Sequence, residues 1–116
     1  MKQQLINFFN NVIIYLGFYS WKLNLKENSS EGYCWLNKKT IDIGLKHRYP
    51  KQLILHEIAH INTCRFCNQK HNYTFWKVFH SLVRKFLPKE QICDSQLGHM
   101  QYASKGIYKL EYQELR

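Results

Sequence analysis

Long apolar runs are missing from this 116-residue chain. Its most hydrophobic stretch, from Val12 to Tyr19, falls well short of the ~20 residues that a membrane-spanning helix takes. An export signal is not expected either. Met1-Lys2-Gln3-Gln4 carries one positive charge, and Asn7, Asn10 and Asn11 break the apolar segment that would follow. The opening segment reads instead as a packed helix, with an interfacial membrane helix as the other option. A disulfide framework is not expected, because Cys34, Cys64, Cys67 and Cys93 sit in a chain that otherwise reads as cytoplasmic, where thiols stay reduced. Internal repeats, low-complexity segments and long linkers are also lacking, which argues for one domain over residues 1–116 with a core at about 5–87 and an extension at 88–116. Acidic residues are scarce, 8 against 17 lysines and arginines, for a formal net charge of +9. That balance favours polyanionic partners. The basic residues run from Lys2 to Arg116 without forming a block, so a solvated basic surface and a nucleic-acid contact both remain open.

Hydrophobic residues make up 45% of the chain and aromatics 16%, enough for a core without cross-links. Leu5, Phe9, Val12 and Leu16 recur at helical spacing, predicting a helix from Lys2 to about Tyr15 that ends near Gly17. Trp21, Leu23 and Leu25 alternate with Lys22, Asn24 and Lys26, the period of a half-buried strand. A hairpin is expected next, with arms Tyr33 to Leu36 and Thr40 to Ile43 and a turn at Asn37-Lys38-Lys39. Pro50 can open a second helix, expected to run to about Asn62, followed by an irregular segment from Thr63 to Asn72. A third helix should start near Asn72 or Tyr73, with Phe75, Trp76, Phe79, Leu82, Val83 and Phe86 on its apolar face, and stop before Pro88. Beyond Glu90 the sequence offers a helix near Asp94 to Ala103 and weak strand character near Ile107 to Leu110. The expectation is an α+β fold with helices on one side of a three-stranded meander.

The most informative run is His56-Glu57-Ile58-Ala59-His60. On a helix, residues four apart share a face about 6 Å apart along the axis, which suits two ligands of one tetrahedral Zn²⁺. Glu57 then stands beside the metal, where a carboxylate can take a proton from activated water. Leu53, Ile54, Leu55, Ile58, Ala59 and Ile61 make this helix apolar on nearly every side, so it should be buried. Polar groups inside it then need partners, which a metal supplies. The bland alternative is a helix whose histidines are exposed or satisfied by the core.

A catalytic zinc takes three protein ligands and leaves one position open. Candidates downstream are Cys64, Cys67, His71, His80, Glu90, Asp94 and His99. His71 is the best placed, eleven residues after His60 and just before the third helix, where Phe75 and Trp76 can anchor the backbone. His80 reads as a core or surface histidine, and His47 and His99 have no supporting context. Cys64-Arg65-Phe66-Cys67 has the spacing of half a structural zinc site, but no second pair follows. With His60 and His71 these cysteines could close a four-ligand site, which would exclude catalysis. A plain pair of reduced cysteines is the simpler reading.

Three stretches give the chain a likeness to a known group: His56 to His60, His71-Asn72-Tyr73-Thr74-Phe75-Trp76, and Gly32-Tyr33-Cys34-Trp35 through Thr40-Ile41-Asp42-Ile43. Over about residues 5–87 it resembles the SprT-like, WLM and YgjP-like zincin metallopeptidases. The resemblance implies a minimal zincin core of a helix, a three-stranded sheet, the metal helix and a following helix. It also implies Zn²⁺ on His56, His60 and His71, Glu57 as general base, and a protein or peptide substrate. Some SprT-like relatives cleave proteins crosslinked to DNA, which fits the basic charge. The chain lacks the C-terminal zinc ribbon common in SprT-like proteins, and Cys64 and Cys67 are not part of that group's pattern. The spacing excludes a metzincin, and Glu90 as a gluzincin-type ligand is the weaker choice. A zinc peptidase is thus the first expectation, and a non-enzymatic, zinc-stabilised nucleic-acid-binding module the second.

Overall fold

The computed structural model describes residues 1–67, 71 and 73–92, and for residues 64–67 and 73 the backbone only. Helix α1 (Lys2–Leu16) leads to strands β1 (Lys22–Lys26), β2 (Gly32–Trp35) and β3 (Thr40–Gly44), then helices α2 (Pro50–Cys67) and α3 (Tyr73–Phe86), and a 3-10 turn (Lys89–Gln91). The chain is therefore α+β. It divides into two compact units, Met1–Ile58 and Ala59–Arg116, with the boundary inside α2. Among the described residues, no helix is long and apolar enough to cross a membrane.

In the first unit, α1 buries Leu5, Phe9, Val12 and Ile13. It stops at Gly17, whose φ of 77° and N–H bonds to the Ile13 and Ile14 carbonyls form a left-handed cap that a Cβ would strain. The three strands form one mixed sheet in the order β1-β3-β2, with β1 parallel and β2 antiparallel to β3. This corrects the expected meander, which would have placed β2 in the middle. The physical reason lies in the strands themselves. Ile41 and Ile43 of β3 are completely buried, as a central strand requires, whereas Lys22 and Lys26 of β1 are exposed and suit an edge. The hairpin of β2 and β3 forms as expected, pairing Tyr33 with Asp42 and Cys34 with Ile41. Its turn places Lys39 at a φ of 50°. One sheet face buries Cys34, Ile41 and Ile43, and the other leaves Tyr33 and Trp35 open. The buried side of the unit is completed by Gln52, Ile54, Leu55 and Ile58 from the first turns of α2.

In the second unit, α2 continues five residues past Asn62, correcting the irregular segment expected from Thr63. Neither glycine nor proline interrupts the sequence between Pro50 and Pro88. The Thr63 hydroxyl is accommodated by donating to the Ala59 carbonyl at 2.8 Å, one turn back. Helix α3 lies where the apolar spacing places it. Phe75, Trp76, Phe79, Leu82 and Val83 are buried, and Lys77, Arg84 and Lys85 are exposed. Phe75 stacks on Phe79 with ring centroids 6.0 Å apart, and Trp76 meets both rings edge-on. The helix and strand anticipated after Asp94 fall outside the described residues.

Candidate metal centre

Helix α2 fixes the first pair of donors. His56 is half-buried and His60 is 5% exposed, and their spacing of four residues puts both imidazoles on one side of the helix. Every position from Gln52 to Ile61 is buried or half-buried, so this stretch of the helix has no exposed face, as its apolar composition predicts.

His71 sits in the connection between α2 and α3 and is exposed. The indole N–H of Trp76 donates to the His71 carbonyl at 3.0 Å, tying this backbone to the first turn of α3. The His71 ring packs against Phe75 at 4.8 Å and Trp76 at 5.6 Å between centroids, and Phe75 also meets the His60 ring at 4.4 Å. One phenyl group therefore positions two imidazoles. Their Nε2 atoms are 3.1 Å apart.

His56, His60 and His71 each offer a ring nitrogen, and the three nitrogens lie within 4.8 Å of one another. The chain thus brings together three groups close enough to hold one metal ion. The donor set fits one chemically. Two nitrogens each about 2.05 Å from a tetrahedral ion stand about 3.3 Å apart, near the observed Nε2 separation of His60 and His71. Burial, with a smaller contribution from the neighbouring His71, lowers the His60 pKa to about 4. At neutral pH its imidazole is therefore uncharged, the form that coordinates metals.

Glu57 is 5% exposed, and burial pushes its pKa up to about 8. Its carboxylate lies against Gly32 at the start of β2. A Cβ at position 32 would come within 2.8 Å of Glu57 Oε2 and 3.0 Å of the Leu53 side chain. Sequence reasoning missed Gly32, because a glycine opening a strand carries no signal until the partner across from it is known.

Among the described residues, the other candidate ligands His80 and Glu90 are not in this cluster. His80 is completely buried on α3, and burial, then Arg84, lowers its pKa to about 4. It is a core histidine and is not in the three-histidine group. His47 has a local role that its sequence context did not reveal: its Nδ1 accepts the Tyr49 backbone N–H at 2.9 Å just before α2. Glu90 lies exposed in the 3-10 turn. The side chains of Cys64 and Cys67, and all of Asp94 and His99, fall outside the described residues.

Fold and site together define an α+β chain with a three-histidine cluster and a buried glutamate one residue from its first member. Compared with protein-family models, curated proteins and solved structures, the chain matches none.

Proposed function

We propose that this chain is a metal-dependent peptidase of zincin type, with Zn²⁺ held by His56, His60 and His71 and with Glu57 as the general base. The observation that carries this reading is the convergence of three ring nitrogens within 4.8 Å, with a buried glutamate next in sequence to His56. Three histidine donors would hold the ion and would leave room on it for water or substrate. A bound Zn²⁺ supplies Lewis acidity, lowering the pKa of water toward about 7 and polarising a carbonyl. Glu57 takes the proton of the attacking water at a carboxylate oxygen and passes it to the departing amine. Burial alone would keep Glu57 protonated at neutral pH, and a cation held nearby would lower its pKa toward the ionised form that a base needs. Phe75 and Trp76 hold the His71 segment, so that the exposed third donor keeps its position.

The test is zinc content and casein hydrolysis for wild type, His71→Ala, Glu57→Gln and the Cys64→Ala/Cys67→Ala double variant. The reading expects one zinc per chain that survives loss of both cysteines and weakens without His71. Glu57→Gln should keep its zinc and lose hydrolysis. Zinc lost with the cysteines would instead define a closed structural site, and undiminished hydrolysis by Glu57→Gln would refute the assignment of the base.

A further inference from the structure

We propose that the open face of the sheet is a stacking platform for single-stranded nucleic acid. The surface lies within the first unit and includes none of the three histidines. Tyr33 and Trp35 of β2 are 50% and 37% exposed, a large aromatic area left open on a sheet. They lie against each other with centroids 4.4 Å apart at 45°. The pair is held rather than loose. The Trp35 indole N–H donates to Asp42 Oδ2 at 2.8 Å, and the Asn24 amide donates to Asp42 Oδ1 at 3.0 Å. Asp42 is the neighbour of both Tyr33 and Asn24 in the register, so one carboxylate ties all three strands together beneath the rings. Aromatic rings fixed in place lose little entropy when a ligand stacks on them.

Charge selects the ligand. Lys22 and Lys26 are exposed on β1, on the same face as Asn24 and two strand spacings, about 10 Å, from the aromatics. Lys38 lies over the Trp35 ring, its ammonium 4.8 Å from the centroid. Between the two edges is a depression of about 260 Å³, lined by Lys26, Ser29, Glu31, Gly32, Tyr33 and Asp42. Its volume falls below the ~300–1,000 Å³ of pockets for drug-sized ligands, and its flank is the Tyr33 ring. A nucleobase fits this arrangement: its flat face meets Tyr33, its N–H edge meets Glu31 and Asp42, and its phosphates meet the lysines. A duplex keeps its bases stacked inside and offers no face to Tyr33, which commits the site to single strands. An acidic protein would meet the lysines but leave the aromatic pair without a role.

The test is fluorescence anisotropy with a labelled 12-nucleotide dT strand, using the Glu57→Gln chain with and without chelator so that neither hydrolysis nor metal enters the result. Tyr33→Ala should weaken binding about 5- to 150-fold, the measured range for losing one base stack. Tyr33→Phe, which keeps the ring, should bind like the parent. Replacing Lys22 and Lys26 by Ala should flatten the slope of log affinity against log salt by about 1.4, since each phosphate contact on a single strand contributes about 0.7. Thermal melting of Tyr33→Ala should match the parent, because the side chain is half exposed on an edge strand. Equal binding by Tyr33→Ala, equal binding of a duplex of the same length, or no saturable binding at low salt would each overturn the proposal.

Discussion

Replacing Gly32 with alanine adds one methyl group against the carboxylate assigned as the base, and the structure sets the size of the effect. The new Cβ would stand 2.8 Å from Glu57 Oε2 and 3.0 Å from Leu53 Cγ and Cδ1, where ordinary contacts begin at about 3.5 Å, so both neighbours must retreat by about 0.5 Å or more. Leu53 is half-buried, whereas Glu57 is 5% exposed and has less room in which to turn aside. Overpacking of this kind costs about 1–3 kcal/mol. The reduced freedom of the unfolded chain returns about 0.4–1 kcal/mol. The net expectation is a loss of up to about 2.6 kcal/mol. Urea denaturation of metal-free protein measures it, and a cycle with Glu57→Ala separates the two neighbours. If the carboxylate is the obstacle, truncating it relieves the clash, and the pair shows a coupling of about 0.5–2 kcal/mol. Casein hydrolysis by Gly32→Ala should fall at least tenfold with zinc content unchanged, since a displacement near 1 Å costs about 100-fold in a positioned site. An equal loss of stability in the Glu57→Ala background would refute the reasoning and assign the strain to Leu53 alone.

Two further outcomes follow from the same geometry. Without metal, the folded Glu57 titrates at about 8 against 4.5 in the unfolded chain, so the folded state keeps a proton that the unfolded state releases, and stability falls as pH rises through that window. His60 and His80 act oppositely, with folded values of about 4 against 6.5, so stability falls as pH drops from 6.5. Denaturation midpoints in chelator should therefore peak near pH 6.5, and Glu57→Gln should abolish the alkaline decline; an unchanged decline in that variant would exclude Glu57 as its source. Trp76→Phe removes the donor to the His71 carbonyl while keeping a ring in the core. It should cost about 0.5–1.5 kcal/mol and weaken zinc affinity, and affinity equal to wild type would show that Phe75 alone holds His71 in place.

Local chemistry explains which parts of this molecule could be read in advance. Helices α1 and α3 were legible because their apolar residues repeat at helical spacing and their ends carry Gly17 and Pro88. The C-terminal end of α2 was misplaced because the threonine and asparagine after Ile61 resemble a loop, while the bond from Thr63 to the Ala59 carbonyl appears only once the helix exists. Strand order was not legible from alternation, which defines a strand's faces and not its neighbours. β1 carries lysines at both ends, which suits an edge, whereas the central position of β3 shows only in the complete burial of Ile41 and Ile43.

The same distinction applies to the candidate site. His56 and His60 are joined by one helix, so their sequence spacing already fixes their geometry. His71 was selected for its distance from His60 and its position before Phe75 and Trp76, and these two residues are the ones that anchor it, through one ring contact shared with His60 and one hydrogen bond to the backbone. Gly32 and Asp42 could not be found that way. Each matters through an atom on another strand or helix, the Glu57 carboxylate in one case and the Trp35 and Asn24 side chains in the other. A residue that holds its own ligand atom announces itself by type and spacing, whereas one that makes room or fixes a neighbour is visible only after the chain has folded. Substitutions at Gly32 and Asp42 therefore test the three-dimensional arrangement itself, which replacement of the histidines cannot do, because loss of a ligand would remove metal from any arrangement that used it.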